Sequence, residues 1–217
     1  MRSSELHDKF RKIRVEESFD ENHRTRLHRA ISWLKCAEKY SKNNDPDIAV
    51  IALWISFNSC YSIDDYTLRA QPQRNQFLKF AKTLITFDND LRIYEILLTK
   101  YPEEVMSLIC NKYVYQLYWE AKTGGDLVWD KPFAASKRRA RQAIKDENTT
   151  ELLSIIFDRL YCLRNQLFHG GATYESKVNR DQIHDAMGIL LDLVPVIIEL
   201  MFKKENWGNI YYPNQKV

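Results

Sequence analysis

Arg164, Asn165 and His169 lie within LRNQLFHGG, Leu163 to Gly171, where a segment that otherwise reads as buried helix comes to its end. A guanidinium clamps a phosphate through paired N–H donors, and an imidazole can take up and release a proton near neutral pH. Two copies of the set would supply what cutting an RNA backbone requires without a metal. In that chemistry a 2′-hydroxyl attacks the adjacent phosphorus while His169 of one chain accepts its proton, and the counterpart His169 protonates the leaving 5′-oxygen. Arg164 stabilises the charge that builds on the phosphoryl oxygens. Asn165 holds the imidazole or the phosphate in register.

Spacing limits how these groups can meet. On a helix, Leu153, Ile156, Leu160, Leu163 and Leu167 form one apolar arc with Arg164 beside it, while Asp158, Cys162, Asn165 and His169 line a narrow polar stripe on a different side. Arg164 and His169 are five residues apart, about 140° around a straight helix, so one regular helix cannot aim both at one atom. Either the last turn unwinds at Gly170-Gly171, or a twofold copy of the helix brings a second Arg and His alongside. The second arrangement is a homodimer with a composite site.

The elements that must position these residues are helices. The 217 residues suffice for one sizeable core, 45% hydrophobic and 28% charged residues fit a folded globular protein, and only six Gly and six Pro argue against a turn-rich all-β chain. A formal charge of +3 is too small for the chain as a whole to trap polyanions, so nucleic-acid binding would need local cations. Cys36, Cys60, Cys110 and Cys162 include no C-x-x-C pair, and no apolar leader opens the chain, which points to a reducing cytoplasm. The apolar run Gly188 to Phe202 is too short to span a bilayer and is interrupted by Asp192, Pro195 and Glu199, which makes it a core helix and gives no membrane association.

Residues 1–22 form a charged segment that specifies no core face, and 23–217 read as a single helical domain. Core helices are expected at about 24–42, 46–63, 149–169 and 179–202, with shorter helices in an insertion at about 64–148. Asp45 with Pro46 opens the second core helix, which is apolar nearly all round, and Thr149 or Thr150 caps the third. In the insertion, RNQFLKFAKTLI, LRIYEILLTKY, EVMSLICNKYVYQLYWEA and ASKRRARQAIKD carry partial helical periodicity, broken at RAQPQ, TFDND, Tyr101-Pro102 and KTGGDLVWDKP. The fold class is an all-α antiparallel bundle with short helices inserted in the middle.

At Arg164, Asn165 and His169 the chain resembles the HEPN family of small helical domains, whose mark is an Arg, a polar residue and then a His in the pattern R-x4-6-H. WISFNSCY (Trp54 to Tyr61), HGGATYESKVNRDQ (His169 to Gln182), LVP (Leu193 to Pro195) and WGNIYYP near the end extend the resemblance, which looks like a bacterial HEPN subgroup from Arg24 onward. The resemblance implies an antiparallel bundle that dimerises with both motifs on a shared cleft. In many members it also implies metal-independent endoribonuclease activity tied to toxin–antitoxin or antiviral defence systems, with an antitoxin or regulatory protein as a further partner. Other members are inert, or bind proteins or nucleotides. Members paired with a nucleotidyltransferase antitoxin often carry a Tyr two residues past the His, where this chain has Gly171 and its nearest tyrosine is Tyr174.

Plainer readings stand beside these. Arg164 could be a structural ion-pair partner of Asp158 from a neighbouring chain, or of Asp185 or Asp192, and His169 could simply cap the negative end of its helix. Lys137, Arg138, Arg139, Arg141 and Lys145 could track a phosphate backbone, although such runs are more often a solvated helix face. YVYQLYWEA has the composition of a base-stacking platform, but Tyr and Trp at that spacing more often serve a core or interface. His7, His23, His28 and His184 form no metal-ligand spacing, so no metal and no cofactor is expected. The expected function is metal-independent RNA cleavage through 2′-hydroxyl attack. The alternative is a non-catalytic HEPN dimerisation module that binds a protein partner or a nucleotide.

Overall fold

The computed structural model describes residues 2–16, 19–63, 73–124, 126–203 and 207–208. Among these residues the secondary structure is entirely helical, which establishes the all-α class. Pro46, Pro102 and Asp45 act as the sequence indicates. The Asp45 side chain accepts the Ile48 N–H at 3.1 Å, and both prolines stand where a helix has no backbone acceptor for an N–H. The chain divides into two compact units, Met1–Arg92 with Leu190–Val217, and Ile93–Ile189.

The first unit is organised on a helical hairpin, α2 (Glu21–Lys42) and α3 (Pro46–Tyr61). Ser56 donates to the Ala30 carbonyl at 2.6 Å, while Arg26 donates to the carbonyls of Ser59, Cys60 and Ser62, so the two helices run antiparallel. Arg26 is 1% exposed and also reaches the Gly208 carbonyl at 3.2 Å. One guanidinium thus satisfies the free end of α3 and anchors a distant segment. α1 (Ser3–Glu16) does present a core face, contrary to the expectation for residues 1–22: Leu6 and Phe10, one turn apart, are buried, and Ser3 donates to Glu38 at 2.5 Å. The rings of Phe57, Tyr61, Phe77, Phe80 and Trp207 pack edge-on or tilted, which joins α4 (Gln73–Ile85) to α3. Of the break RAQPQ and the closing WGNIYYP, residues 69–72 and 209–213 lie outside the described residues.

The second unit holds the candidate site. LRIYEILLTKY is helical as α5 (Arg92–Glu95) but widens into a π turn at Ile96–Lys100, where the Tyr101 N–H reaches back five residues to the Ile96 carbonyl. EVMSLICNKYVYQLYWEA is not one helix. It splits into α6 (Pro102–Cys110), a 3-10 turn (Lys112–Val114) and α7 (Gln116–Lys122), because the Asn111 side chain accepts the Tyr113 N–H at 2.8 Å and so competes with helical bonding. α8 (Asp130–Lys145) and α9 (Thr149–Phe168) follow, and the cap of α9 is Asn148, not Thr149 or Thr150. Its Oδ1 accepts the Glu151 N–H at 3.0 Å, which leaves Thr149 as the first helical residue. α10 (Arg180–Met201) contributes its first part here, with Asp185 accepting from the Ser107 hydroxyl at 2.7 Å, and its last part to the first unit, with Glu199 bonded to Lys9 and Arg92. No helix is long and apolar enough to cross a membrane among the described residues.

His23 generates a test of the first unit. It is 1% exposed and both ring nitrogens lack a hydrogen-bond partner among the described residues. Burial lowers its pKa to about 4 against the opposing pull of Asp20, with Arg26 adding to the drop. Above the ordinary value of 6.5 the ring is neutral in both states; below it the unfolded chain binds a proton that the folded chain refuses. The urea midpoint should therefore fall as the pH drops from 6.5 towards 4, and the slope across that window should flatten in His23→Leu relative to the parent chain. An identical slope in both would contradict the buried neutral ring.

Candidate functional site

α9 is a long helix held on most of its circumference. Leu153, Ile156, Leu160 and Leu163 are buried as the apolar arc requires, but Leu152, Ile155, Phe157, Arg159 and Cys162 are buried as well. Along the polar stripe Asp158 is half-buried and the stripe is closed off at Cys162. Cys162 is 2% exposed, and burial pushes its thiol up to about 12, whereas Asn165 is half-buried and His169 exposed. Arg159 clamps the middle of the helix. Its guanidinium lies 4.6 Å from the Tyr115 ring centroid, donates to Ser136 Oγ at 2.9 Å, and approaches the Ile109 carbonyl at 3.4 Å.

The helix stays regular up to its cap. The His169 N–H donates to the Asn165 carbonyl at 3.0 Å, Gly170 takes φ +69°, and the Gly171 N–H reaches the Gln166 carbonyl at 2.8 Å. That pattern is a Schellman-type stop, so the unwinding that could have joined Arg164 to His169 does not occur. Within one chain the two side chains keep the separation of about 140° around the axis. Arg164 instead donates to its neighbour Asn165 Oδ1 at 2.9 Å and lies over Phe168, 4.4 Å from the ring centroid. Its Nε is buried without a partner, and it forms no ion pair among the described residues. Asp185, one carboxylate considered for it, is engaged by Ser107, and burial raises its pKa. The His169 imidazole makes no hydrogen bond among the described residues, so it does not cap the helix carbonyls through its side chain.

The structure thus brings Arg164 to Asn165 and leaves His169 on another side. Gln166 is a residue the sequence reading passed over. Its amide donates to the Tyr113 carbonyl at 2.6 Å and accepts from Asn179 Nδ2 at 2.6 Å, tying the end of α9 to the 3-10 turn and to the loop after Gly171. The available signal was its place three residues before His169, on the same helix face.

The basic run lies on α8, whose buried side carries Phe133, Ala140 and Ala143. Arg139 is paired with Glu151, and the Lys137 ammonium sits 4.7 Å from the Phe133 ring centroid. Arg138, Arg141 and Lys145, at i, i+3 and i+7, share one exposed side and have no ion pair among the described residues. Lys137 and Arg139 are thus the two of the five with a contact inside the chain among the described residues. No group of three His, Cys, Asp or Glu side chains among the described residues could hold a metal.

Comparison of the chain with protein-family models, with curated proteins and with solved structures finds no match.

The cap generates a stability test. Gly170→Ala places a Cβ on a left-handed residue with open space around it, so its cost is conformational, about 1 kcal/mol. A drop of about 2–4 °C in Tm is expected, with Gly170→Asn closer to the parent chain. An unchanged Tm in Gly170→Ala would show that α9 does not end in this geometry.

Proposed function

We propose that the chain is a HEPN-like, metal-independent endoribonuclease that works as a homodimer, with the ends of two α9 helices forming one site. The observation that carries the reading is the state of Arg164: a half-buried guanidinium with an unpartnered Nε, oriented by Asn165 and Phe168 and neutralised by no carboxylate among the described residues. Such a group favours a phosphate, whose oxygens accept its forked donors. His169 stands exposed at the cap with its imidazole uncommitted, as a proton-transfer group must be. The opposed faces of Arg164 and His169 support the dimer, since a second copy of the helix supplies the missing partner on each side.

In the proposed reaction one His169 removes the 2′-hydroxyl proton as the oxygen bonds to phosphorus, and the other protonates the departing 5′-oxygen. The products are a 2′,3′-cyclic phosphate and a 5′-hydroxyl end. Asn165 orients Arg164 through its Oδ1, and Arg164 meets the phosphoryl oxygens. A toxin or defence effector is the biological setting that the HEPN resemblance suggests.

A second reading is a non-catalytic module that binds a protein partner or a nucleotide through the same surface. It is favoured by the fact that one chain alone does not bring Arg164 and His169 together. The two readings separate on mixed RNA incubated with the purified protein in EDTA. The nuclease reading expects cyclic-phosphate ends, a loss of about 10²–10⁴-fold in His169→Ala, and a comparable loss in Arg164→Ala that stays folded and dimeric. No cleavage by the parent chain, or equal cleavage by His169→Ala, leaves the binding module.

A further inference from the structure

The second unit carries an exposed aromatic cluster that the proposed chemistry does not use. Tyr113 is 43% and Trp119 37% exposed, and their ring centroids lie 6.3 Å apart at an interplanar angle of 44°. The buried Tyr118 props both from beneath, edge-on, at 5.5 Å and 5.3 Å. The pair cannot swing freely: the Trp119 indole N–H donates to the Tyr113 carbonyl at 2.8 Å, and the Gln166 amide donates to that same oxygen. With the Trp119 indole N–H and the Tyr113 carbonyl spent on holding the arrangement, the two residues offer ring surface to solvent. Lys112 adds cationic charge, with its ammonium 5.1 Å from the Tyr113 ring centroid, and Lys122 lies 5.9 Å from that of Tyr118. The nearby carboxylate of Glu120 accepts from Gln116 at 3.2 Å.

Through Gln166 this cluster is fixed to the face of α9 that carries His169, one turn from the cap. Two exposed rings, one of them beside the Lys112 ammonium, on a cluster bonded to the helix face that presents an imidazole, fit a flexible strand whose bases stack while a phosphate meets the ammonium group. Duplex RNA hides its base faces and would gain nothing from the rings.

We infer that Tyr113 and Trp119 form a stacking platform for unpaired bases of single-stranded RNA, which feeds the strand towards His169. The inference rests on the RNA reading of the α9 site and names the form of RNA that the site takes. Lys112 contributes charge, and Gln166 is a positioning residue.

The test uses His169→Ala as the binding background, so that no substrate is consumed, with a single-stranded oligouridylate and a matched RNA duplex as probes. Oligouridylate should quench tryptophan fluorescence, and Trp119→Phe should remove most of that quenching while retaining binding because a ring remains. Trp119→Ala and Tyr113→Leu, each confirmed folded by circular dichroism, should weaken oligouridylate binding about tenfold and leave duplex binding unchanged. Lys112→Ala should reduce the salt dependence by about one counterion. Full-strength oligouridylate binding by both ring variants overturns the platform, even if the parent chain cleaves RNA. So does a change in oligomeric state with unaltered RNA affinity, which would make the rings a protein interface. Ring-dependent binding by a parent chain that does not cleave RNA would uphold the platform and remove the nuclease.

Discussion

A single constraint governs the candidate site: five residues on a regular helix separate Arg164 from His169 by more than a third of a turn. The Schellman-type stop keeps α9 wound through His169, so nothing local relaxes that separation. Each further step follows from it. Asn165 and Phe168 occupy the Arg164 guanidinium without neutralising it, the imidazole at the cap makes no hydrogen bond among the described residues, and the proposed site draws on two copies to use both.

The rest of the second unit keeps that helix end rigid. Arg159, buried among Tyr115, Phe133 and Ser136, fixes the middle of α9, and Gln166 fixes its last turn by bonding to the Tyr113 carbonyl and to Asn179. Polar side chains that donate to backbone carbonyls of neighbouring elements set a register that apolar packing alone would leave free to slide. The first unit uses the same device. Arg26, sealed from solvent, takes the carbonyls at the end of α3 and that of Gly208, so one side chain sets the hairpin and anchors the segment after α10.

The long helices were legible in the sequence because their apolar residues repeat at helical spacing and their ends carry Asp45, Pro46 and Gly170. The middle was less legible, since short helices are set by local competition. Asn111 breaks one apparent helix with a side-chain bond, and Ile96–Lys100 widens to a π turn without a Gly or Pro to announce it. Asn148 displaced two threonines as the cap of α9 because all three residue types can accept a first-turn backbone N–H, and only geometry decides among them. In the candidate site, residue types and face assignment were readable, including the separation of Arg164 from His169. The burial of Arg159 and Cys162, the loss of Arg139 to Glu151, and the role of Gln166 depend on which helix packs where, and no residue spacing encodes that.

The central claim is that two copies of α9 meet at their His169 ends. The direct measurement is the dipolar distance between spin labels on His169→Cys chains in which Cys36 and Cys110 have been replaced by Ser, taken on the species that sedimentation identifies. The account predicts a dimer whose labelled positions are close enough to flank one phosphodiester, on the order of 10–15 Å between backbones. A monomer, or a dimer with these positions more than about 30 Å apart, too far for both imidazoles to reach one phosphate, would contradict it.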